Sequence, residues 1–265
     1  MKTIKTILVT GASSGFGKLV AFDLAQKGHN IIATAQTWPE VTELKNEAKA
    51  RGIKLEVDKL DVTNTRDRDN AIKKWDIDIL LSNAGVMEAG PIAEQPIELI
   101  RSMFDVIVVD ALQLVQGFVK KMVANKKAGK IVFTSSMGGL WTVPYGAAYC
   151  ASKHALEAIA EGLKAELAPF GIKIATVNPG IFNTGFNDRG ADSITHWYDP
   201  EKNFTPPETI ARLAQMLENQ LDPQSMADVI VDVILSDNPK FRNVHPKETE
   251  DMIKQIQKDA WTALS

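Results

Sequence analysis

The sequence predicts an α/β domain built on a doubly wound parallel sheet with helices on both faces. Two observations lead to this prediction. Short apolar runs alternate with helical stretches along the chain, and parallel strands need such crossover helices between them. Glycine-rich or polar motifs also directly follow several of the apolar runs. Sheets of this class keep their ligand sites at the carboxyl ends of the strands, which is where these motifs fall.

The predicted strands are short apolar runs bounded by turn residues. They cover residues 5–10, 30–35, 54–58, 77–82, 130–135 and 172–177. The first helix is expected over residues 16–27, because Leu19, Val20 and Leu24 are spaced for one helix face and Gly28 supplies a stop signal.

A glycine-rich turn joins the first strand to the first helix, with the spacing G-x-x-x-G-x-G. Glycines allow tight turning and close approach of the backbone to a ligand, while free N–H groups and the helix dipole attract a pyrophosphate. A strand, a glycine turn and a helix in this order predict a nucleotide site. The residues assigned to it are Gly11, Ser13, Ser14, Gly15, Phe16 and Gly17.

Composition and charge indicate a single globular domain and argue against a nucleic-acid-binding or membrane-spanning protein. The chain has 265 residues, of which 45% are hydrophobic and 24% charged, and no linker or repeat divides it, so residues 1–265 are expected to form a single domain. A net charge of -3 gives no reason to expect a nucleic-acid partner. A single cysteine, Cys150, rules out an internal disulfide, and no apolar run approaches the roughly 20 residues that span a bilayer. We therefore expect a cytoplasmic protein with no membrane partner.

Tyr149 and Lys153 are the most informative pair of side chains in the sequence. In a helix, residues four apart lie on one face, so the ammonium can sit beside the phenol. A nearby cation favours the phenolate, so we expect the tyrosine pKa to be lowered toward the range in which it exchanges a proton near neutral pH. The same pair also occurs by chance in many helices, so its meaning depends on the other motifs.

Four motifs occur in order along the chain. They are Thr10-Gly11-Ala12-Ser13-Ser14-Gly15-Phe16-Gly17, then Asn83-Ala84-Gly85, then Ser135-Ser136 at a strand end, and finally Tyr149 to Lys153 followed by Asn178-Pro179-Gly180. With these motifs the chain resembles the short-chain dehydrogenase/reductase family, in its single-domain ketoreductase-like form, over nearly its whole length. The resemblance implies a Rossmann-like sheet of order 3-2-1-4-5-6, with room for a seventh strand. It also implies a homodimer or homotetramer.

The resemblance implies a catalytic role for three residues. Tyr149 would exchange a proton with the substrate oxygen while hydride moves to or from a nicotinamide, and Ser136 would hydrogen-bond that oxygen. Lys153 would bind the nicotinamide ribose and lower the tyrosine pKa. Ser135 remains the alternative to Ser136. Further cofactor contacts are implied for Asp61, Val62, Asn83, Ala84, Gly85, Pro179, Gly180, Ile181 and Thr184.

The end of the second predicted strand bears on the choice of cofactor. NAD enzymes normally carry an acid there that binds the ribose hydroxyls, and the matching residue is Ala35. This leaves room for a 2′-phosphate, although Gln36 replaces the arginine that NADP-preferring relatives usually add. The phosphate would meet the neutral donors Ser13, Gln36 and Thr37. The sequence therefore favours NADP(H) over NAD(H).

One departure from the family pattern concerns the proton path. Family members carry an asparagine in the helix after the fourth strand, where it holds a water that relays protons to the lysine. Ile107 stands in that place, and Asp110 stands where a glycine is usual. Isoleucine cannot hold a water, so the relay must be rerouted, slowed or absent. Asp110 is expected either to assist or to be a solvated or interface carboxylate.

Two functions other than a reductase remain open. In the first, the protein binds a dinucleotide with weak or no catalysis, which Ile107 supports. In the second, the same fold performs a non-redox elimination. Relatives that do so usually lose the glycine turn and the lysine, whereas Gly15 and Lys153 are both present.

The substrate pocket is expected to be apolar. Residues 182–207 are aromatic and contain proline, which suits a lid over such a pocket. A hydrophobic ketone or secondary alcohol, aryl compounds included, fits better than a sugar or a charged acid. No metal site is expected, because the four histidines have no ligand spacing. The residues assigned to the pocket are Trp141, Val143, Tyr145, Phe182, Phe186 and Trp197.

Two helices are predicted in the last part of the chain. Ser225 is expected to be the N-cap of the first, which buries Met226 and Ile230. The second is expected over residues 247–264 and carries Trp261 on its apolar face, which should pack on the domain or on a partner subunit.

Overall fold

The computed structural model describes residues 3–215 and 217–263. It contains a seven-stranded parallel sheet in the order β3-β2-β1-β4-β5-β6-β7, so the predicted Rossmann-like architecture and the seventh strand are confirmed. The strands are β1 Thr6–Val9, β2 Asn30–Ala35, β3 Glu56–Lys59, β4 Ile79–Ser82, β5 Gly129–Thr134, β6 Ile172–Pro179 and β7 Arg242–His245.

The topological switch lies between β1 and β4. In the register of the sheet, Ile7 of β1 is paired with Ile31 of β2 on one side and with Ile79 of β4 on the other. The chain winds outward in opposite directions from these two strands. Their carboxyl ends therefore border a crevice, which is where a sheet of this class places its ligand.

Helices cover both faces of the sheet and bury two apolar clusters. Successive strand residues point to opposite faces. Ile7 and Val9 accordingly belong to one cluster with Leu24 of the first helix, whereas Leu8 belongs to the other with Phe118. The helices are α1 Gly15–Gln26, α2 Trp38–Ala50, α3 Thr65–Lys74, α4 Ile97–Phe104, α5 Asp110–Ala124, α6 Ala147–Leu167, α7 Phe186–Ser193, α8 Pro207–Gln215, α9 Pro223–Leu235 and α10 Lys247–Asp259.

A π-helical segment, Asp105–Val109, joins α4 to α5, so Ile97–Ala124 is one continuous helix. By length and composition alone this helix is apolar enough to cross a membrane, although no such run is expected from the sequence. Its middle carries two carboxylates, and Phe118 packs in the core of the domain. Core helices pass the same test of length and hydropathy, so the observation assigns no membrane role.

The expected irregular lid over residues 182–207 is partly helical. It contains α7 and a 3-10 turn, Ile194–His196. The last helix ends at Asp259, short of the predicted 264, which lies outside the described residues. Trp261 is 90% exposed and does not pack on the domain, whereas Ile253 is buried.

The predicted N-cap at Ser225 is wrong. Asp222 caps α9, because its carboxylate accepts a hydrogen bond from the Gln224 N–H at 3.0 Å. Pro223 occupies the first helical position, where its missing N–H costs nothing. Ser225 lies inside the helix, and its hydroxyl donates to the Asp222 carbonyl at 2.9 Å.

Replacing the N-cap of α9 should therefore destabilise the protein more than replacing Ser225. We expect Asp222→Ala to lower the free energy of unfolding by about 1 kcal/mol, because the Gln224 N–H loses its acceptor. Ser225→Ala should change it by less than about 0.5 kcal/mol. Urea denaturation of both variants measures the difference, and an equal loss in the two would contradict the assignment of the cap.

Candidate active site

The turn between β1 and α1 forms a tight backbone cradle. Gly11 and Gly15 have φ values of 64° and 53°, which L side chains rarely adopt. A Cβ atom added to Gly11 would lie 2.9 Å from the Ala84 Cα, and one added to Gly17 would lie 2.3 Å from the Gly11 carbonyl oxygen. Ser14 gives no side-chain hydrogen bond to the first turn of α1. This helix N-terminus thus keeps its N–H groups for an anion.

Asn83 ties the cradle to the neighbouring strands. Its amide nitrogen donates to the carbonyls of Thr10 and Gly11 at 3.0 and 3.1 Å, and its amide oxygen accepts from the Thr134 hydroxyl at 3.1 Å. The Thr10 hydroxyl in turn accepts the N–H groups of Asn83 and Ala84. The Asn83 side chain is therefore a structural link among three strand ends.

A cavity of about 550 Å³ extends from this cradle to the tyrosine predicted as proton donor. It lies across the carboxyl ends of the strands, as the fold predicts. The structure thus brings most of the predicted site residues together. Those lining the cavity are Gly11, Ser13, Ser14, Gly15, Phe16, Gln36, Asp61, Val62, Asn83, Ala84, Gly85, Ser136, Tyr149, Lys153, Pro179, Gly180, Phe182, Thr184 and Phe186.

Seven predicted site residues do not line the cavity. One of them, Thr37, is the N-cap of α2. Gly17 is buried beneath the cradle, where it allows the close approach described above, and Ile181 pairs through its backbone with Leu221. Trp197 instead packs on Gly90, where an added Cβ would lie 2.4 Å from the indole. The remaining three, which follow β5 in the chain, are Trp141, Val143 and Tyr145. Their positions depend on how that loop folds, which sequence spacing alone does not reveal.

The three predicted catalytic residues converge at one end of the cavity. Ser136 follows β5, while Tyr149 and Lys153 lie one turn apart on α6. The Lys153 ammonium donates to the Thr134 carbonyl at 2.8 Å and lies 5.7 Å from the centre of the Tyr149 ring. Ser136 hydrogen-bonds the phenol. Ser135, the alternative to Ser136, has a buried hydroxyl with no hydrogen-bond partner.

The pKa values at this end of the cavity are set mainly by burial. Burial raises the pKa of the Tyr149 phenol above its usual value, and the hydrogen bond from Ser136 opposes this shift. Burial also lowers the pKa of Lys153 to about 8, against the attraction of Glu157. The expected lowering of the tyrosine pKa by Lys153 is therefore absent. The phenol holds its proton at neutral pH, in the form that can donate it.

Ile107 lies near Lys153, the lysine predicted to be catalytic. Its side chain is 2% exposed, and the Ile107 Cγ1 and the Lys153 Nζ each lie 3.9 Å from the point where a Cβ on Gly85 would stand. Ile107 and Lys153 therefore border the same space at Gly85. An apolar side chain in this position is in keeping with the burial that lowers the lysine pKa.

Asp110 is directed toward α3 rather than toward the catalytic residues. Its carboxylate pairs with the Arg68 guanidinium at 2.9 Å, and this guanidinium also donates to the Val62 carbonyl and the Gln113 amide oxygen. Arg68 is 5% exposed. Asp110 is therefore a partly buried ion-pair partner of Arg68 and not a solvated carboxylate.

Two phenylalanines from the predicted lid contact the site in different ways. The Phe186 ring lies 5.9 Å from the Tyr149 ring and lines the cavity. Phe182 is 1% exposed and packs between Phe16 and His245, so it is mainly a core residue with one edge at the cavity.

Several lining residues were missed by sequence reasoning. Arg189 and Asn187 come from α7, and Glu40 comes from the first turn of α2. A signal for Glu40 exists in the sequence, because Thr37 and Glu40 have the spacing of a capping box, which places Glu40 at a helix start. The other missed residues are Glu43, Leu60, Thr63, Val86, Val106 and Thr134.

The arrangement fits a dinucleotide. The cradle admits only glycine at its closest approaches, the helix N-terminus offers N–H groups to a pyrophosphate, and the cavity continues from there to Tyr149 and Lys153. A bound phosphate ester and a reacting group at opposite ends of one cavity are what a nicotinamide dinucleotide requires.

Comparison with known proteins agrees with this geometry. The family model for short chain dehydrogenase matches residues 5–193. A 3-ketodihydrosphingosine reductase from Bacteroides thetaiotaomicron is 32% identical over 249 residues, covering 89% of this chain and 86% of that protein. Human 17-beta-hydroxysteroid dehydrogenase type 1 is 29% identical over 253 residues, which cover 89% of this chain and 76% of that protein.

A solved structure has the same fold along its length. The short-chain dehydrogenase from Streptomyces avermitilis has a TM-score of 0.82 at 27% identity, with 99% of this chain and 95% of that chain covered. The family model, the similar relatives and the convergence of Ser136, Tyr149 and Lys153 agree with one another. The chain belongs to the short-chain dehydrogenase/reductase family of NAD(P)-dependent oxidoreductases.

Proposed function

We propose that the protein interconverts a hydrophobic ketone and its secondary alcohol, with Tyr149 as the proton donor for reduction. One observation carries this proposal. The Tyr149 phenol, the Ser136 hydroxyl and the Lys153 ammonium meet at one end of a cavity whose other end is a glycine cradle. A proton donor, an oxygen contact and a cation are thus grouped where a carbonyl carbon would receive hydride.

Each catalytic side chain has a distinct task in this mechanism. Ser136 hydrogen-bonds the carbonyl oxygen and orients it toward the phenol. Tyr149 keeps its proton because its surroundings are apolar, and it releases that proton as negative charge develops on the substrate oxygen. Lys153, held by the Thr134 carbonyl, stabilises the phenolate that results. When bound, the nicotinamide dinucleotide supplies or accepts the hydride.

The walls near Tyr149 support an apolar substrate. Phe186 packs against the tyrosine ring, and Val86 and Val106 line the same cavity. Hydrocarbon surface buried against these side chains contributes about 25 cal/mol per Å². The names of the relatives, a 3-keto reductase and a hydroxysteroid dehydrogenase, point to keto and hydroxy substrates. Residues 182–207 serve as the lid in this proposal.

Ile107 supports a second candidate, a dinucleotide-binding protein with weak or no catalysis. Its side chain borders the same space at Gly85 as Lys153 and cannot hold a relay water. We favour the enzyme, because the three groups that contact the substrate oxygen or stabilise the phenolate are all present. In this proposal protons return to Lys153 slowly rather than not at all.

We also propose that the protein is a cytoplasmic homo-oligomer whose interface includes the outer face of the Ile97–Ala124 helix. Val109 and Ile97 are 46% and 52% exposed on that helix. Exposed aliphatic side chains on a long helix favour association with a second copy.

Removing the Tyr149 hydroxyl should abolish most turnover while leaving the dinucleotide site intact. We expect Tyr149→Phe to lower kcat for ketone reduction by at least about 100-fold, because no other group donates the proton. Tyr198→Phe is the matched control, since that phenol donates to the Thr205 carbonyl and does not line the cavity. A panel of alkyl and aryl ketones supplies the assay. Retention of more than a tenth of native activity in Tyr149→Phe would exclude the assigned role.

Restoring an amide at position 107 should speed proton return. We expect Ile107→Asn to raise kcat by about tenfold or more, because an asparagine can hold the relay water beside Lys153. Ile107→Val keeps an apolar side chain and should leave kcat nearly unchanged. If native protein and both variants turn over equally fast, the relay is not limited by Ile107. If only the asparagine variant is active, the binding-only candidate describes the native protein.

The pH dependence of reduction should follow Lys153. Its pKa of about 8 means that the ammonium is lost as pH rises through that value, so kcat/KM should fall above pH 8. Glu157 raises the lysine pKa, so Glu157→Gln should move this fall to lower pH. Glu161→Gln is the control, because Glu161 also pairs with Arg242 but is 65% exposed. If kcat/KM falls at the same pH in Glu157→Gln and Glu161→Gln, Lys153 is not the group whose titration causes the fall.

A further inference from the structure

The cavity has a second polar region at the carboxyl end of β2. Glu40, the third residue of α2, lines the cavity there together with Gln36 and Ser13. Ala35, the residue that matches the acid of NAD enzymes, is fully buried in the core and offers no polar group. The carboxylate at this end of the cavity therefore comes from α2 instead of from β2.

The Glu40 carboxylate is held from two sides. Its Oε2 accepts the Thr37 N–H at 2.8 Å and the Thr37 hydroxyl at 3.0 Å, which forms the capping box of α2. Its Oε1 accepts the Ser13 hydroxyl at 3.1 Å. Two of the three neutral donors predicted for a 2′-phosphate are thus already hydrogen-bonded to a carboxylate. Oε1 retains lone pairs for a further donor.

This end of the cavity is acidic. Glu43 lines it next to Glu40. Lys18 of α1 and Arg51, which directly follows α2, both pair with Glu47, at 3.0 and 2.6 Å. Within the described part of the chain, no ion pair joins Glu40 to a cation. The cationic side chains that line the cavity, Lys153 and Arg189, belong to α6 and α7.

We infer that Glu40 accepts the hydroxyl groups of the adenosine ribose and selects NAD(H) over NADP(H). A ribose diol offers two O–H donors, and a carboxylate offers only acceptors. A 2′-phosphate would instead bring two negative charges to a fixed carboxylate in a partly buried site, where repulsion is stronger than in water. This inference rests on the dinucleotide site of the proposed function, but not on the substrate. It reverses the preference for NADP(H) predicted from Ala35.

Equilibrium binding tests the role of Glu40 without any substrate. We expect titration calorimetry on the native protein to give a Kd for NADH at least about tenfold lower than that for NADPH. Glu40→Gln keeps an acceptor for the Thr37 N–H, because glutamine also serves in a capping box, but removes the charge. In this variant the affinity for NADPH should rise by about tenfold, so that most of the discrimination is lost.

Glu98→Gln is the matched control, because it removes the same charge from the first turn of another helix, α4, and Glu98 does not line the cavity. The ratio of its Kd values for NADPH and NADH should stay within about twofold of the ratio for the native protein. The melting temperature of Glu40→Gln without dinucleotide should equal that of the native protein, and NADPH should raise it further than in the native protein.

Two results would overturn the inference: native protein that binds NADPH as tightly as NADH, or equal changes in the two glutamine variants. Either result would leave the proposed oxidoreductase function standing, because a dinucleotide would still bind. Failure of both dinucleotides to bind would remove the inference and the proposed function together.

Discussion

The close approach of the first glycine turn to the end of β4 is the constraint on which the site depends. Gly17 lies against the Gly11 carbonyl and Gly11 against the Ala84 backbone, at distances that leave no room for a Cβ atom. Asn83 locks this contact by hydrogen bonds to β1 and β5. This contact lies at the topological switch between β1 and β4. It therefore fixes the position of the glycine cradle relative to the end of β5, which Ser136 follows.

Burial sets the chemistry at the catalytic end. Tyr149 and Lys153 are removed from water, which favours the neutral form of both and shifts their pKa values in opposite directions. In such a site the attraction between a phenolate and an ammonium is worth more than in water. Ile107 is buried and borders the same space at Gly85 as Lys153. Its side chain adds apolar surface near the ammonium and offers no polar atom to a water.

The two ends of the cavity differ in charge. Lys153 lines it beside Tyr149 and Arg189 lines it from α7, whereas Glu40 and Glu43 line it from α2. A ligand that extends from α2 to Tyr149 meets carboxylates at one end and the Lys153 ammonium at the other. This difference in charge arises because different helices line different parts of the cavity. The first turn of α2 carries Glu40 in its capping box, and α7 carries Arg189.

The sequence alone determined the sheet, its strand boundaries to within a few residues, the glycine cradle and which three residues, Ser136, Tyr149 and Lys153, meet at one end of the cavity. Those features depend on local patterns, namely apolar runs, glycine spacing and residues one helical turn apart, which are read along the chain. The tertiary structure alone decided which loops form the cavity walls, that Asp110 pairs with Arg68, and that Glu40 of α2 lines the cavity and accepts a hydrogen bond from Ser13. It also decided the pKa of Tyr149, because burial depends on distant segments that pack around the phenol.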